Sequence, residues 1–217
     1  MDPKDNKFML DVPFYENTYD PNQCFQIAMQ SVLKYFLDRD FTVNELDILT
    51  HRKEGEWTGT VQIVPPMYDL GLKVEYFSKA DIKPYLRGEA YIREQYGKDA
   101  DRILKLIDVQ TIVDATKTLM QYDLFEKRVL GLSEIEEHIR VGHVPMVLLD
   151  WSKILNLKRP YQGHMGVLTG VDGENFYFHN SGPLKPEANM KIPKRLFMEA
   201  WSAEGTDNDI VIVYSKR

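Results

Sequence analysis

Cysteine is nearly absent: Cys24 is the only one among 217 residues, so the chain forms no internal disulfide and its core must hold without covalent staples. Long apolar runs are missing as well. No stretch approaches the roughly 20 residues that a membrane-spanning helix needs, and the opening Met1-Asp2-Pro3-Lys4-Asp5-Asn6-Lys7 leads into no apolar export signal. Basic residues are outnumbered, 27 Lys and Arg against 33 Asp and Glu, and the formal charge of −6 gives no general attraction to nucleic acid. Internal repeats, low-complexity tracts and linkers are lacking too. What is present is ordinary globular composition, 43% hydrophobic and 28% charged, in a chain long enough to bury one substantial core. The expectation is one domain over residues 1–217, cytoplasmic, with no membrane span and no nucleic-acid partner.

The lone cysteine has an informative position. The polar loop from Glu16 to Gln23 runs into Cys24, after which Ile27, Ala28, Val32, Leu33 and Phe36 form an apolar helical stripe. Cys24 therefore opens a helix. A free cysteine is more often a small buried hydrophobe than a nucleophile. At a helix start, however, unpaired N–H groups and the positive end of the helix dipole favour thiolate. Far downstream, His164 and Asn180 fall in two runs that read as the paired strands of a hairpin. A thiol, an imidazole and a carboxamide supply a nucleophile, its base and the orienter of that base.

The other histidines are less persuasive. His138 and His143 are five residues apart, off the spacing of three or four that puts two ligands on one helix face, so no zinc site is expected. His179 alternates to the face away from Asn180, and His51 sits beside Arg52 and Lys53 in a polar loop; both read as solvated or locally hydrogen-bonded. Trp57, Trp151, Tyr161 and Trp201 read as core residues before groove lining.

Along the chain, helices come first and strands later. Thr42-Val43-Asn44-Glu45 is a capping-box pattern for a short helix through Leu49, and Thr60 begins another that must accommodate Pro65 and Pro66. Leu72 to Phe77 alternates as a half-buried strand. About 81–122 is charged and helical in period. Ser133-Glu134-Ile135-Glu136 predicts the cap of a further helix that Gly142 can end, and strands are predicted at 144–150, 164–171, 175–180 and 209–215. The class is α+β, a helical lobe followed by an antiparallel sheet.

Several blocks, in this order, resemble the papain-like cysteine peptidases related to the bacteriocin-leader-processing (double-glycine) peptidases. They are Leu10 to Asn17, the Cys24 helix, Val144 to Leu149, Gly163 to Asp172, Phe178 to Pro183, and a closing helix and strand over Ile192 to Trp201 and Ile210 to Tyr214. The resemblance implies a two-lobed papain-like fold, a peptide or protein substrate lying in the cleft, and no metal or organic cofactor. It also implies an oxyanion donor where Asn17 stands in register with the family's glutamine; Gln23, beside the nucleophile, is the other carboxamide within reach. Phe25 replaces the family's glycine after the nucleophile, and Asn180-Ser181-Gly182-Pro183 replaces its aspartate and proline. The compact family pattern has no counterpart of 81–122, which reads as a helical elaboration over or beside the groove.

The function expected is hydrolysis of a peptide bond through a Cys24–His164–Asn180 triad and a thioester. Acyl transfer or amide hydrolysis by the same thiol, and a non-catalytic peptide-binding role, are the alternatives. One geometric condition follows from strand alternation. A strict two-residue turn at Asp172-Gly173 would put His164 and Asn180 on opposite faces, so the triad requires an odd loop or a bulge.

Overall fold

A computed structural model of the chain describes residues 6–18, 20–183 and 185–217. Residues 1–5 and Tyr19, which entered the reading of the N-terminus and of the Cys24 loop, lie outside the described residues.

Strand β1 (Phe8–Met9) is followed by helices α1 (Cys24–Leu37), α2 (Val43–Leu49) and α3 (Thr60–Asp69). Local chemistry sets their limits. Cys24 opens α1, and Asp38 in the left-handed region closes it. At α2 the Thr42 hydroxyl accepts from Glu45 N at 3.2 Å while Glu45 Oε2 accepts Thr42 N–H at 2.7 Å, which is the expected capping box. Helix α3 carries Pro65 and Pro66 in its interior.

Strand β2 (Leu72–Phe77) has the predicted bounds. The segment after it is helical as expected, with a 3-10 turn at Lys83–Arg87, α4 (Glu89–Tyr96), α5 (Ala100–Leu104) and α6 (Val109–Gln121), and α6 packs on α3. Then come β3 (Phe125–Glu126), α7 (Leu132–Arg140), β4 (Val144–Asp150), α8 (Trp151–Ile154), β5 (Gly163–Val171), β6 (Asn175–Asn180), β7 (Glu187–Pro193), α9 (Lys194–Trp201) and β8 (Ile210–Lys216). The cap of α7 differs from expectation: Glu134, not Glu136, reaches back to a backbone N–H, that of Gly131 at 2.6 Å, so the helix starts at Leu132. Strand β7 was not anticipated; most of it is exposed, so it lacks the apolar alternation that marks a strand in sequence.

The eight strands form one sheet in the order β3-β2-β8-β4-β5-β6-β7, with β1 alongside β5. Every pairing is antiparallel except β2 with β3. Helix α1 packs on β5, α3 on β2, and α9 on β4, so the mixed α+β class and the helices-then-sheet order hold. The fully buried Trp201, Phe77, Phe176, Phe178, Phe197 and Met29 are the largest side chains of the core.

The β5–β6 hairpin meets the geometric condition by a bulge. Leu168 pairs with Phe178, but Val171 pairs with Phe176, leaving Thr169 as an extra residue on β5. Its carbonyl accepts from Leu10 N at 2.7 Å, so the N-terminal strand uses the hydrogen bond that the bulge frees. Gly166 permits the close approach: a Cβ there would lie 2.1 Å from the Phe178 ring and 2.7 Å from His179 O.

Candidate functional site

Cys24 sits at the first turn of α1, buried against β5. Nearby backbone N–H groups, of Met165, Phe25 and Cys24 itself, and the positive charge of Arg52 act to lower its pKa and so favour thiolate. Burial outweighs them and pushes the thiol up. Helix α1, which Cys24 opens, packs on β5, the strand that carries His164. Among the described residues no hydrogen bond joins the sulfur directly to the imidazole.

His164 is buried, and burial pulls its pKa down to about 4, with the Asn180 side chain acting in the opposite direction. Its Nε2 has no hydrogen-bond partner among the described residues. The Trp151 ring lies over the imidazole at 4.6 Å between centroids, and Phe178 stands 6.1 Å away. Trp151 thus lines the site instead of only filling the core, whereas Trp201 is wholly buried and donates its indole N–H to Asp209 O.

Asn180 is held at both ends of its carboxamide. Nδ2 donates to Lys185 O at 2.6 Å, and Oδ1 accepts Gly182 N–H at 3.1 Å. The neighbouring Ser181 carbonyl accepts Asn17 N–H at 2.8 Å, which ties the loop before Cys24 to the end of β6. Asn17 is buried there, and its Nδ2 donates to Asp20 O at 2.7 Å. Gln23 faces elsewhere: its Nε2 donates to Asp47 Oδ2 at 2.8 Å, within an ionic group centred on Arg52. Helix α1, with Cys24 at its start, thus packs on β5, which carries His164, and the Asn17 loop is tied to the end of β6, where Asn180 stands; Gln23 turns instead to Asp47.

The histidines set aside have other surroundings. His179 is buried, with Nε2 against Val12 O at 2.9 Å and Nδ1 accepting Asn189 N–H at 3.0 Å; it joins β6 to β7 and the N-terminal segment and is not solvated. His138 and His143 do meet, Nδ1 to Nδ1 at 2.9 Å, because Gly142 at φ 90 turns the chain back at the end of α7. Both rings pack against Tyr214, and burial lowers both pKa values. Among the described residues no group of three or more His, Cys, Asp or Glu could hold a metal ion. No helix among them is long and apolar enough to cross a membrane.

Two features carry no local signal in the sequence: the pairing of Arg52 with Asp20, 32 residues away, and the Met165 N–H, which any residue would supply. The 81–122 segment is tied to the loop after α2 through two contacts: Trp57 N donates to Leu106 O at 2.6 Å, and Lys53 pairs with Asp108 at 2.8 Å.

Three solved structures share the fold. The peptidase domain of Streptococcus ComA, a bi-functional ABC transporter involved in a quorum-sensing pathway, is 13% identical over 93% of this chain and 97% of that one, with a TM-score of 0.50. A C39-like peptidase from Bacillus anthracis is 14% identical over 98% and 99% of the two chains, at a TM-score of 0.57. A double-glycine-motif protease from an AMS/PCAT transporter, solved in complex with its leader peptide, is 10% identical over 95% and 94%, at 0.51. These likenesses place the expected double-glycine peptidase resemblance at the level of fold. No curated protein matches the chain. The family model that matches has a different description and covers residues 22–213. By that match the chain belongs to the family described as guanylylate cyclase, on a fold it shares with C39-like peptidase domains.

Proposed function

We propose that the chain is a cysteine hydrolase acting on a peptide bond, with Cys24 as nucleophile, His164 as base and Asn180 as orienter of the imidazole. One observation carries this reading: helix α1, which Cys24 opens, packs on β5, the strand that holds His164, and the Met165 backbone N–H acts on the Cys24 thiol. The solved relatives, all peptidase domains by fold, add support, and one of them holds a leader peptide.

The chemistry starts from neutral groups, since burial raises the thiol and lowers the imidazole. His164 takes the thiol proton as sulfur attacks the acyl carbon. The oxyanion is met by the Cys24 backbone N–H, which lacks an intrahelical partner, and by the Asn17 carboxamide. Gln23 could serve there only by leaving Asp47. Collapse expels the amine, which takes the proton from His164 and leaves a thioester on Cys24. Water, deprotonated by His164, then releases the acid and restores the thiol. No cofactor takes part in these steps. Under this reading residues 1–217 form one cytoplasmic peptidase-like domain, with 81–122 as an elaboration beside the groove.

The test is cleavage of a fluorogenic peptide set that includes Gly-Gly sequences, by wild type, Cys24→Ala and His164→Ala, with competing amines added to detect acyl transfer. Turnover lost in both variants is expected. In parallel the same proteins receive GTP: cyclic GMP formed equally by wild type and Cys24→Ala, with no peptide cleavage, would refute the hydrolase reading in favour of the activity in the family's description.

A further inference from the structure

The mechanism leaves one buried charge unused. Arg52 has a side chain only 1% exposed, and all three guanidinium nitrogens are engaged. One terminal nitrogen contacts Asp20 closely, and the other spans Asp47 at 3.2 and 3.1 Å. Nε donates to Glu56 O at 2.9 Å. The two carboxylates come from different segments, Asp20 from the loop before the nucleophile and Asp47 from α2.

What those two residues hold in turn is specific. The Asp20 carbonyl accepts both the Asn17 side chain at 2.7 Å and the Gln23 N–H at 3.1 Å. Asp47 accepts the Gln23 carboxamide at 2.8 Å, and Asp20 Oδ1 accepts Asn22 N–H at 2.9 Å. Asn17, the oxyanion donor, and Gln23, the residue before the nucleophile, are thus each one hydrogen bond from a carboxylate residue that Arg52 grips. A solvent-open depression of about 660 Å³ borders this ionic group, lined by Asp20, Gln23, Asn44, Asp47, Arg52 and Glu54 among others.

We infer that Arg52 is a positioning residue for the hydrolysis proposed above, fixing Asn17 and the Gln23–Cys24 peptide through Asp20 and Asp47. A buried ion pair is seldom the cheapest way to stabilise a fold, because desolvation cancels much of its attraction. A planar fork that grips two carboxylates at once does give rigid geometry, which a lysine ammonium cannot reproduce. The clamp touches neither substrate nor sulfur. It acts on where the oxyanion donors point.

Two variants test it. Arg52→Lys keeps a charge but loses the fork; the triple change Arg52→Gln, Asp20→Asn and Asp47→Asn removes all three charges together, so no buried carboxylate is left unpaired. Peptide turnover is measured with amide hydrogen exchange over residues 17–24. In both variants kcat should fall by about 10²-fold, as for loss of an oxyanion donor, with KM changed by less than about threefold. Exchange in 17–24 should quicken by about tenfold or more while α1 beyond Phe25 stays protected. Wild-type kcat in either variant overturns the inference, as does unchanged exchange. If wild type cleaves no peptide but exchange still quickens, the hydrolase reading fails and the Arg52 clamp on the loop stands.

Discussion

Acidification gives the sharpest prediction, because His164 combines deep burial with a titratable ring. In the unfolded chain its pKa is 6.5; in the fold, burial holds it at about 4. Above pH 6.5 the ring is neutral in both states and its full contribution to stability is present. Below 6.5 the unfolded chain gains a proton that the native ring refuses, so stability falls with pH until about pH 4, where the native ring also charges. A gap of about 2.5 pH units at 1.36 kcal/mol each makes the loss about 3 kcal/mol. Asp209 works the other way. Burial raises its carboxyl from 3.8 to about 6, so its contribution is complete below 3.8 and is lost as pH rises through about 6. The two nearly cancel between pH 6 and 4, and the wild-type stability curve hides both. The difference between wild type and His164→Gln isolates the first, since Asp209 is common to both proteins. Urea unfolding at pH 7.5 and pH 4 should show the wild-type advantage over His164→Gln shrinking by about 3 kcal/mol. The His164 ring signal should titrate near pH 4 by NMR. A ring that titrates at or above 6.5, or a difference that ignores pH, refutes the buried-neutral assignment and with it the neutral starting pair of the mechanism.

Other outcomes follow from single contacts. Gly166→Ala would set a Cβ 2.7 Å from the fixed His179 carbonyl, and unfolding by urea should show a loss of about 3 kcal/mol. Gly163→Ala would meet the end of the partly exposed Tyr161 side chain, its hydroxyl at 2.6 Å and Cζ at 3.2 Å, and no backbone atom at such range. Its stability should therefore change by less than about 1 kcal/mol in urea unfolding. Thr42→Ala removes the hydroxyl that accepts Glu45 N–H and should cost about 1 kcal/mol in thermal or urea unfolding, with turnover intact. Asn180→Ala should lower kcat by less than Cys24→Ala does, and Asn180→Asp should keep or raise it, since a carboxylate stabilises the imidazolium more strongly; a silent Asn180→Ala reduces the machinery to Cys24 and His164.

The local elements were legible in the sequence because they are set by neighbours. The start of α1 at Cys24, the Thr42–Glu45 box and the limits of β2 follow from capping chemistry and periodicity over a few residues. The bulge between His164 and Asn180 was legible in another way: alternation of side chains allowed the two onto one face only if a residue was added, and Thr169 is that residue. Contacts between segments were beyond reach. Nothing local says that Gln23 turns to Asp47 or that Arg52 is buried between two carboxylates, 32 and five residues away along the chain. Nor does a spacing of five suggest that His138 and His143 touch, since that contact needs the turn at Gly142. Strand β7 escaped because an exposed edge strand carries little apolar pattern, its limits being set by pairing with β6. Short-range hydrogen bonds and hydrophobic period determined the elements and the candidate triad; which buried polar groups satisfy one another was decided only when the chain closed on itself, because a buried charge takes whatever partner the fold brings within 3 Å.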